Sequence, residues 1–423
     1  MSNLTCKLAM FIPEWPGQTH IFFWREMNAL REIGIEPNVI STRRPSANVI
    51  CHEWSEKAMR DCIYLMPLSA TGLMRGLWEL IRSGPIRLTR CSRVILTAGD
   101  ASWMEKLKAL TMLPIAGQLI SIIRHNKFTH LHAHSCGNAA MLAMMAHLLG
   151  NIDYSLTLHS ALPTFGGYQE AKWRHARFGT TVTNQLKQDV LRHCRGLQPN
   201  KISVAPMGVD LAVFHRDQPY EPPRPGEPWK LVSCGRLHRG KGHQDVIRAV
   251  AMIHESGQPV HLTILGEGPE RENLQQLIKD LRAETLVTLA GSVSEIQVRD
   301  TLAASHLFVL GSHDEAIGVA TMEAMAMGLP VVVTDVGGVK ELVRDGVDGW
   351  LTSPQDTESM ASIIQEVLKD SEETKRFSES AEKRIHEQFT SDRSATLIKE
   401  NLSMKSQVSH VQHSATERTC ESS

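Results

Sequence analysis

The sequence predicts an α/β protein with two doubly wound domains in tandem, each a parallel sheet covered by helices on both faces. Its 423 residues exceed the roughly 250–300 residues at which a single hydrophobic core stops growing. Apolar runs of strand length alternate with amphipathic runs of helix length, which is typical of parallel sheets. The alternation is interrupted at residues 218–229, where five of twelve residues are proline. Proline at that density fits neither a helix nor a central strand, so this segment indicates a domain junction.

We assign residues 1–205 to the first domain and residues 206–390 to the second. In the first, the predicted strands are residues 8–12, 37–41, 129–133, 154–158 and 180–183, and the predicted helices are residues 22–33 and 138–149. In the second, the predicted strands are residues 230–234, 260–265, 287–290, 307–310 and 330–334, and the predicted helices are residues 244–255, 270–281, 296–304 and 319–327. Residues 357–389 are expected to be mostly helical. Residues 391–423 are expected to be a helix end and a disordered tail, because from about residue 403 they are rich in Ser, Thr and Gln.

Composition and charge exclude several classes of protein. With 42% hydrophobic residues, 22% charged residues and a net charge of −1, the chain is neither disordered throughout nor suited to bind nucleic acid through overall charge. Its longest apolar runs, residues 112–123 and 139–149, are shorter than the roughly 20 residues of a transmembrane helix, and its first residues do not resemble a signal peptide. The eight cysteines include no Cys-x-x-Cys pair, so we expect reduced cysteines and a cytoplasmic protein.

A glycine-rich basic loop directly follows the first strand of the second domain. It reads Gly-Arg-Leu-His-Arg-Gly-Lys-Gly over residues 235–242, so that Arg236 and Lys241 stand five positions apart. Glycines let a backbone approach a ligand closely, and a planar guanidinium beside an ammonium suits a diphosphate. A solvated basic loop with no ligand is the alternative.

Two carboxylates, Glu315 and Glu323, lie eight positions apart around the start of a helix that follows a strand. Gly318 permits a tight entry into that helix, whose first residues would present free backbone N–H groups to an anion. These residues are Val319, Ala320 and Thr321. A carboxylate beside an anion site suits sugar hydroxyls better than phosphate. The alternative is a capping glutamate and an exposed helical one, but Glu323 stands among small apolar residues, where a charge needs a partner.

The first domain offers weaker signals. Gly17 follows the first strand and precedes a helix, which is more often a simple turn than a ligand loop. His130, His132 and His134 alternate along one strand and therefore share a face. No acidic residue accompanies them in this motif, so we predict no metal site. His159 ends a strand, where ligand-facing residues belong, although a buried histidine is often simply hydrogen-bonded.

Taken together, these residues resemble the retaining glycosyltransferases of family 4, which have the GT-B fold of two Rossmann-like domains facing a central cleft. The spacing of Glu315 and Glu323 matches the Glu-x7-Glu element of that family, and residues 235–242 match its diphosphate loop. Further matches are residues 206–210, 266–269 and 345–350, and the resemblance covers about residues 7–390. The N-terminal half looks most like bacterial exopolysaccharide enzymes of the colanic-acid type. One departure is Ala316, where the family more often has glycine.

The resemblance implies a role for each matching position. The donor is a nucleotide sugar, bound by the second domain, and the acceptor is a glycan or a lipid-linked oligosaccharide, bound by the first. Arg236 and Lys241 would neutralise the donor diphosphate, Glu315 would hold hydroxyls of the donor sugar, and Glu323 the ribose. His159 would lie beside the donor sugar, and the Gly17 amide would approach the phosphates. The family implies no cofactor and no metal, because arginine and lysine stabilise the charge.

Two other functions stay open at this point. A sugar-nucleotide epimerase on the same fold would need a carboxylate and histidine set for proton chemistry, which the two motifs of the second domain do not require. A non-catalytic nucleotide-sugar-binding subunit would not need Arg236, Lys241, Glu315 and Glu323 together. Both are therefore alternatives to transfer of the sugar to a hydroxyl with retention of configuration.

Residues 70–128 are expected to contact a membrane surface without spanning it. They contain nine Lys and Arg against three acidic residues, and Trp and Leu are interleaved with the basic positions. This composition suits an interfacial helix whose apolar face enters the headgroup layer at the inner face of the plasma membrane. The alternative is a solvated basic helix that packs its apolar stripe on the domain core.

Overall fold

The computed structural model describes residues 7–17, 20–46 and 52–403. The first domain contains a parallel sheet of seven strands in the order β3-β2-β1-β4-β5-β6-β7. Its strands are β1 (Leu8–Glu14), β2 (Pro37–Arg43), β3 (Ile63–Tyr64), β4 (His130–His134), β5 (Tyr154–Leu158), β6 (Gly179–Thr181) and β7 (Ile202–Val204). The predicted 1–205 domain therefore ends just after β7.

Eight α-helices lie in the described part of residues 1–205. They are α1 (Ile21–Glu32), α2 (Ser55–Asp61), α3 (Ala70–Thr97), α4 (Trp103–Thr111), α5 (Leu113–His125), α6 (Asn138–Gly150), α7 (Gln169–His175) and α8 (Asn184–His193). Nearly every residue of α6 is buried, because its alanines and methionines present an apolar surface all around the helix. The central strands β4 and β5 are buried along their whole length, as expected for parallel strands covered on both faces.

The second domain is a parallel sheet of six strands in the order β10-β9-β8-β11-β12-β13. Its strands are β8 (Trp229–Cys234), β9 (Val260–Leu265), β10 (Val287–Gly291), β11 (Leu307–Leu310), β12 (Val331–Thr334) and β13 (Trp350–Thr352). Its helices are α9 (His243–Glu255), α10 (Arg271–Asp280), α11 (Glu295–Ala303), α12 (Val319–Ala326), α13 (Val339–Leu342), α14 (Thr357–Val367) and α15 (Ser371–Gln388). Two doubly wound parallel sheets thus confirm the predicted fold class.

The last helix, α16 (Ser391–Ser403), returns to the first domain. Its buried residues Ala395, Ile398 and Leu402 join the apolar cluster formed by β1, α1 and β2. This part of the chain was predicted to be the end of a helix, but it forms a separate helix. Its apolar spacing says nothing about which domain covers it. The tail predicted beyond it, residues 404–423, lies outside the described residues.

Helices α3, α4 and α5 form a layer on the side of the first domain. Gly76 and Gly117 bring α3 and α5 into close contact, since a Cβ at Gly117 would lie 2.2 Å from the Gly76 carbonyl oxygen. The backbone of α3 breaks at Gly84, whose φ is 76°. Among the described residues, no single helix has the length and hydropathy of a membrane span. Helices α4 and α5 have that length and hydropathy only when they are taken together, and the pair is bent by 44°.

Candidate active site

The predicted site residues lie at or just beyond the carboxyl ends of strands in both sheets, and two of them, Arg236 and Glu323, line a cavity shared by the two domains. In each sheet the strand order reverses once, between β1 and β4 in the first and between β8 and β11 in the second. Such a switch point opens a crevice where α/β proteins bind ligands. Gly17 follows β1 and His134 ends β4, while the loops after β8 and β11 carry Arg236 and Glu315.

The basic loop after β8 is held in place by backbone contacts. The Leu237 N–H donates to the Glu267 carbonyl oxygen at 3.1 Å, and the Lys241 N–H donates to the His238 carbonyl oxygen at 2.8 Å. Gly242 ends the loop with a φ of +63°, and a Cβ there would lie 1.7 Å from the Gly311 carbonyl oxygen. Only glycine fits this position, because any side chain would push apart the loops after β8 and β11.

Lys241 and Glu315 form an ion pair across the cleft floor. The Lys241 ammonium binds Glu315 Oε2, and the Ser312 hydroxyl donates to the same oxygen at 3.4 Å. Both charged side chains are partly exposed, Glu315 at 14% and Lys241 at 30%. The structure therefore pairs two residues that were predicted to bind different parts of the donor, Lys241 the diphosphate and Glu315 the sugar hydroxyls, and it leaves both side chains partly exposed.

The start of α12 has the geometry expected of an anion site. Gly318 lies just before the helix with a φ of +94°, so the helix begins abruptly and leaves the N–H groups of Val319, Ala320 and Thr321 at its N-terminus. No side chain caps this end. Ala316, the departure from the family pattern, is not among the described residues with positive φ, and its carbonyl oxygen accepts a hydrogen bond from the Gly338 N–H at 3.1 Å. The loop therefore keeps its course without a glycine there.

Glu323 is buried and paired with an arginine from the other domain. Arg25 Nη2 lies 2.7 Å from Glu323 Oε1 and 2.7 Å from Glu295 Oε1, and only 3% of the Arg25 side chain is exposed. Its guanidinium also stacks over the Phe214 ring, 4.9 Å from the centroid. Burial raises the pKa of the Glu323 carboxyl, and the Arg25 charge opposes this rise. Arg25 was not among the predicted site residues, although a charge beside Phe22, Phe23 and Trp24 is the same signal that identified Glu323.

A cavity of about 150 Å³ lies against this ion pair. Arg236 is exposed at its edge, with no ion pair to any residue in the described part of the chain. Its charged lining residues are Arg25, Arg236, Glu295 and Glu323. Its small and apolar lining residues include Phe214, Gly235, Leu265, Gly266, Ser292 and Val293. The cavity can therefore hold a polar ligand between backbone, guanidinium groups and carboxylates.

Two of the three histidines of β4, His130 and His132, make hydrogen bonds to hydroxyl groups. His132 Nδ1 lies 2.6 Å from Ser155 Oγ and its Nε2 lies 2.8 Å from Thr157 Oγ1, while His130 Nε2 lies 2.7 Å from Ser155 Oγ. Burial lowers the pKa of His132 to about 3, so the ring is neutral. Both of its nitrogens are therefore committed to hydrogen bonds.

The carboxylate absent from the His-x-His-x-His motif is supplied by α1. The ligand atoms of Glu26, His132 and His134 lie within 4.8 Å of one another. Because His132 is occupied by hydroxyls, Glu26 and His134 are left as two candidate ligands, fewer than the three or four protein ligands of a zinc site. We do not assign a metal to this group, and the absence of a metal requirement stays a prediction.

His159 lies at the end of β5, as predicted, and contacts α1. Its Nε2 is 3.1 Å from His134 Nδ1, and its ring packs against Phe22 and Phe23 with centroids 5.2 and 5.3 Å apart. Burial lowers the pKa of His159 well below its ordinary value. The Gly17 carbonyl oxygen accepts a hydrogen bond from the His20 N–H at 3.0 Å. These two residues belong to the first domain, whereas Glu315 and Arg236 belong to the second.

Comparison with known proteins agrees with this arrangement. The family model described as Glycosyltransferase Family 4 matches residues 69–213, and the model described as Glycosyl transferases group 1 matches residues 215–384. The putative colanic acid biosynthesis glycosyltransferase WcaL of Salmonella typhimurium is 35% identical over 178 residues, which is 40% of this chain and 43% of that protein. The match therefore spans less than half the length of that relative.

A longer match is the N-acetyl-alpha-D-glucosaminyl L-malate synthase of Bacillus anthracis, 30% identical over 292 residues, or 66% of this chain and 76% of that protein. Among solved structures, Anabaena Alr3699/HepE in complex with UDP and glucose aligns with a TM-score of 0.69 and 17% identity, covering 94% of this chain and 99% of that one. At this level of identity the structural likeness supports the fold, and the sequence matches support the family.

Proposed function

This chain belongs to the family 4 glycosyltransferases of GT-B fold, and from that membership we propose that it transfers a sugar from a nucleoside-diphosphate donor to a hydroxyl of a growing glycan, with retention of configuration. The bond between the anomeric carbon and the diphosphate oxygen breaks, a bond to the acceptor oxygen forms, and the acceptor proton leaves with the diphosphate. The acceptor is an exopolysaccharide chain or a lipid-linked oligosaccharide, as suggested by the relatives named for colanic acid and amylovoran biosynthesis.

The observation that carries this proposal is the convergence of positive groups at the β8/β11 switch point. Arg236 and Lys241 lie in the loop after β8, and the uncapped start of α12 follows the loop after β11, whose Glu315 pairs with Lys241. A diphosphate placed between them would be neutralised without a metal, by fixed charges and helix N–H groups that need no reorganisation during the reaction. The diphosphate would compete with Glu315 for Lys241 and so release the Glu315 carboxylate to accept hydrogen bonds from sugar hydroxyls.

Glu323 would bind the ribose while it remains paired with Arg25. The ion pair uses Oε1, and Oε2 makes no hydrogen bond with the residues that the structure describes. This second oxygen can accept from a ribose hydroxyl. His159 and the Gly17 amide would approach the sugar and the phosphates from the first domain.

Two measurements test the donor site. A thermal-shift panel of UDP-, GDP- and ADP-sugars identifies the nucleotide, because a ligand that binds the folded state raises its stability. Release of nucleoside diphosphate, with and without acceptor extract, is then followed in variants. Arg236→Ala or Lys241→Ala should lower turnover by about 10²-fold or more, whereas Arg239→Ala, in the same loop and exposed, should stay near wild type. Near-wild-type turnover in either of the first two variants contradicts the proposal.

We also propose that α3 and α4 rest on an anionic membrane surface, which would bring the enzyme to a lipid-linked acceptor. The supporting observation is the exposure of their apolar side chains: Trp78 is 64% exposed, Ile81 73% and Trp103 73%. These side chains therefore do not pack on the domain core, whereas Leu80 and Leu110 of the same region do, as the alternative interpretation expects. Further exposed apolar residues of this surface are Leu73, Met74, Leu77, Ile86, Met104 and Leu107.

The close packing of α3 on α5 leaves this stripe facing outward, and basic side chains border it. Arg75 and Lys106 are among the nine basic residues of this region, against three acidic ones. Of the three, Glu79 is buried and paired with Arg124, so it does not oppose the surface charge. Tryptophan and leucine beside lysine and arginine suit the headgroup layer of an anionic bilayer.

Co-sedimentation with liposomes tests this surface. The wild type should sediment with anionic liposomes at low salt, and a Trp78→Ala, Arg75→Glu, Arg82→Glu variant should lose most of this binding. The control carries a matched set on the second domain, one apolar residue to alanine and two charge reversals: Leu281→Ala, Lys279→Glu, Arg282→Glu, all at exposed positions. If the wild type does not sediment, or the first variant sediments as well as the control, the surface is not a membrane contact.

A further inference from the structure

Three side chains form a row that runs from α1 to the end of β5: Glu26 and His134, which are buried, and His159, which is partly buried. Glu26 Oε1 faces His134 Nε2 at 3.2 Å. The contact is not aligned as a hydrogen bond, and neither atom has a hydrogen-bond partner among the described residues. On the other side of the same ring, His134 Nδ1 lies 3.1 Å from His159 Nε2. The His159 Nδ1 at the end of the row is buried and has no partner within the described ranges. An unpartnered polar atom in such a place indicates a missing ligand group.

Few other charges act on this row. Arg25, beside Glu26, points to the carboxylates of the second domain. The other titratable groups that face the row are His20 at the start of α1 and His132 on β4. Helix α16, which also packs on α1, contributes apolar residues to the shared cluster, and its Lys399 ammonium donates to the Ile33 carbonyl oxygen at the far end of α1.

Only the carboxyl group of the row changes its charge near neutral pH. Burial lowers the pKa of His134 to about 3 and that of His20 to about 4, and it lowers the pKa of His159 well below the ordinary value. Burial raises the pKa of Glu26 to about 7. Each histidine of the row is therefore a neutral ring, with one N–H donor and one acceptor nitrogen.

The protons of such a row can be arranged in two ways. An ionised Glu26 only accepts, so His134 carries its proton on Nε2, His159 must donate from its own Nε2, and His159 Nδ1 is left as a bare acceptor. A protonated Glu26 donates to His134 Nε2, His134 then donates from Nδ1 to His159, and His159 Nδ1 carries a proton. Ionisation of Glu26 thus changes His159 Nδ1, at the other end of the row, from a hydrogen-bond donor into an acceptor.

We propose that Glu26 and His134 are positioning residues that set the ring tautomer of His159, and thereby decide whether His159 Nδ1 accepts from or donates to a hydroxyl of the donor sugar. The inference rests on the proposed function, in which His159 lies beside that sugar. With Glu26 ionised, Nδ1 accepts a hydroxyl proton and orients the sugar for transfer. Below the pH at which Glu26 ionises, the same nitrogen presents a proton, and the preferred sugar hydroxyl geometry changes.

Nitrogen-15 NMR of the histidine rings tests this relay directly, because the two tautomers of a neutral imidazole have distinct ring-nitrogen shifts. The full-length protein is labelled at histidine, and the His159 signals are assigned by their loss in His159→Asn. We expect the Nδ1–H tautomer at pH 6 and the Nε2–H tautomer at pH 8.5, with a midpoint near 7. A single tautomer across this range overturns the proposal, and this measurement on the wild type needs no variant that alters the row.

Two variants separate the relay from a general structural role. In Glu26→Gln the amide cannot ionise, so the tautomer should no longer change between pH 6 and pH 8.5, and the KM for the donor should lose its pH dependence over the same range. Glu32→Gln, at an exposed position of the same helix, should keep both. A tautomer change that persists in Glu26→Gln contradicts the relay. If the relay is observed but no nucleotide sugar is turned over, the proposed function fails instead.

Discussion

Replacing Arg25 by methionine should destabilise the protein far more than removing an ordinary surface ion pair. The Arg25 guanidinium neutralises two carboxylates, Glu323 with 9% of its side chain exposed and Glu295 with 24%. Removing one partner of a buried pair typically costs about 3–5 kcal/mol, because a charge is left without compensation in a low dielectric. We expect a loss of this size in the free energy of unfolding of Arg25→Met at pH 7.5.

The matched control is Arg31→Met on the same helix. Its ion pair with Glu36 is 37% and 71% exposed on the two side chains, so its loss should cost about 0.2–1 kcal/mol. Urea unfolding followed by tryptophan fluorescence measures both variants. If Arg25→Met loses no more stability than Arg31→Met, the burial argument is wrong.

The pH dependence of the loss identifies its cause. Without Arg25, burial of Glu323 should raise the pKa of its carboxyl further, so the folded state binds a proton that the unfolded state does not bind near neutral pH. The penalty of Arg25→Met should then shrink by up to about 1.4 kcal/mol for each unit of pH lowered from 8 to 6. Adding Glu323→Gln to Arg25→Met should recover about 1–3 kcal/mol at pH 8. No recovery in the double variant would show that lost packing, and not the unpaired charge, causes the effect.

Three further predictions follow from the same structure. In urea unfolding, Gly242→Ala should lower the free energy of unfolding by about 1–3 kcal/mol more than Gly257→Ala. Both glycines have positive φ, but a Cβ at Gly257 meets nothing within 4 Å. Equal losses of stability contradict the close approach of the loops after β8 and β11. Stability should fall as the pH is lowered from about 6.5 to 4. Burial lowers the pKa values of His132 and His134 to about 3, so these rings gain protons in this range only on unfolding, and each proton lowers the free energy of unfolding by about 1.4 kcal/mol per pH unit. Glu26 has a raised pKa of about 7 and opposes this trend, because it binds one proton in the folded state. A flat profile in calorimetry excludes neutral buried histidines. Excess EDTA should leave the turnover unchanged, and NMR coupling constants should show the donor's anomeric configuration in the product; loss of activity or inversion counts against the proposed chemistry.

The order of strands and helices could be predicted from the sequence because it depends on contiguous residues. Apolar runs, amphipathic spacing and glycine turns act within about a dozen positions, so the fold class and most strands were predictable within a few residues. The short strands β3, β7 and β13 and helices such as α7 and α8 were not predicted. The same holds for the basic loop at residues 235–242 and for Gly318, whose positive φ at the start of α12 follows from the need for an abrupt helix entry. These signals also placed Arg236 and Glu315 in strand-to-helix loops.

The partners of the charged groups were not predictable, because they join residues far apart in the chain. Arg25 meets Glu323 across 298 positions and Glu295 across 270, and Glu26 reaches His134 only because α1 packs beside β4. A sequence pattern shows that a charge stands among apolar residues and needs a partner, but the choice of partner depends on which surfaces the two sheets bring together. The sequence by itself therefore determined the two domains and the loops that carry the chemistry. The tertiary structure alone decided the pairing of charges and the protonation of buried groups, because electrostatic energies depend on distance and burial in space.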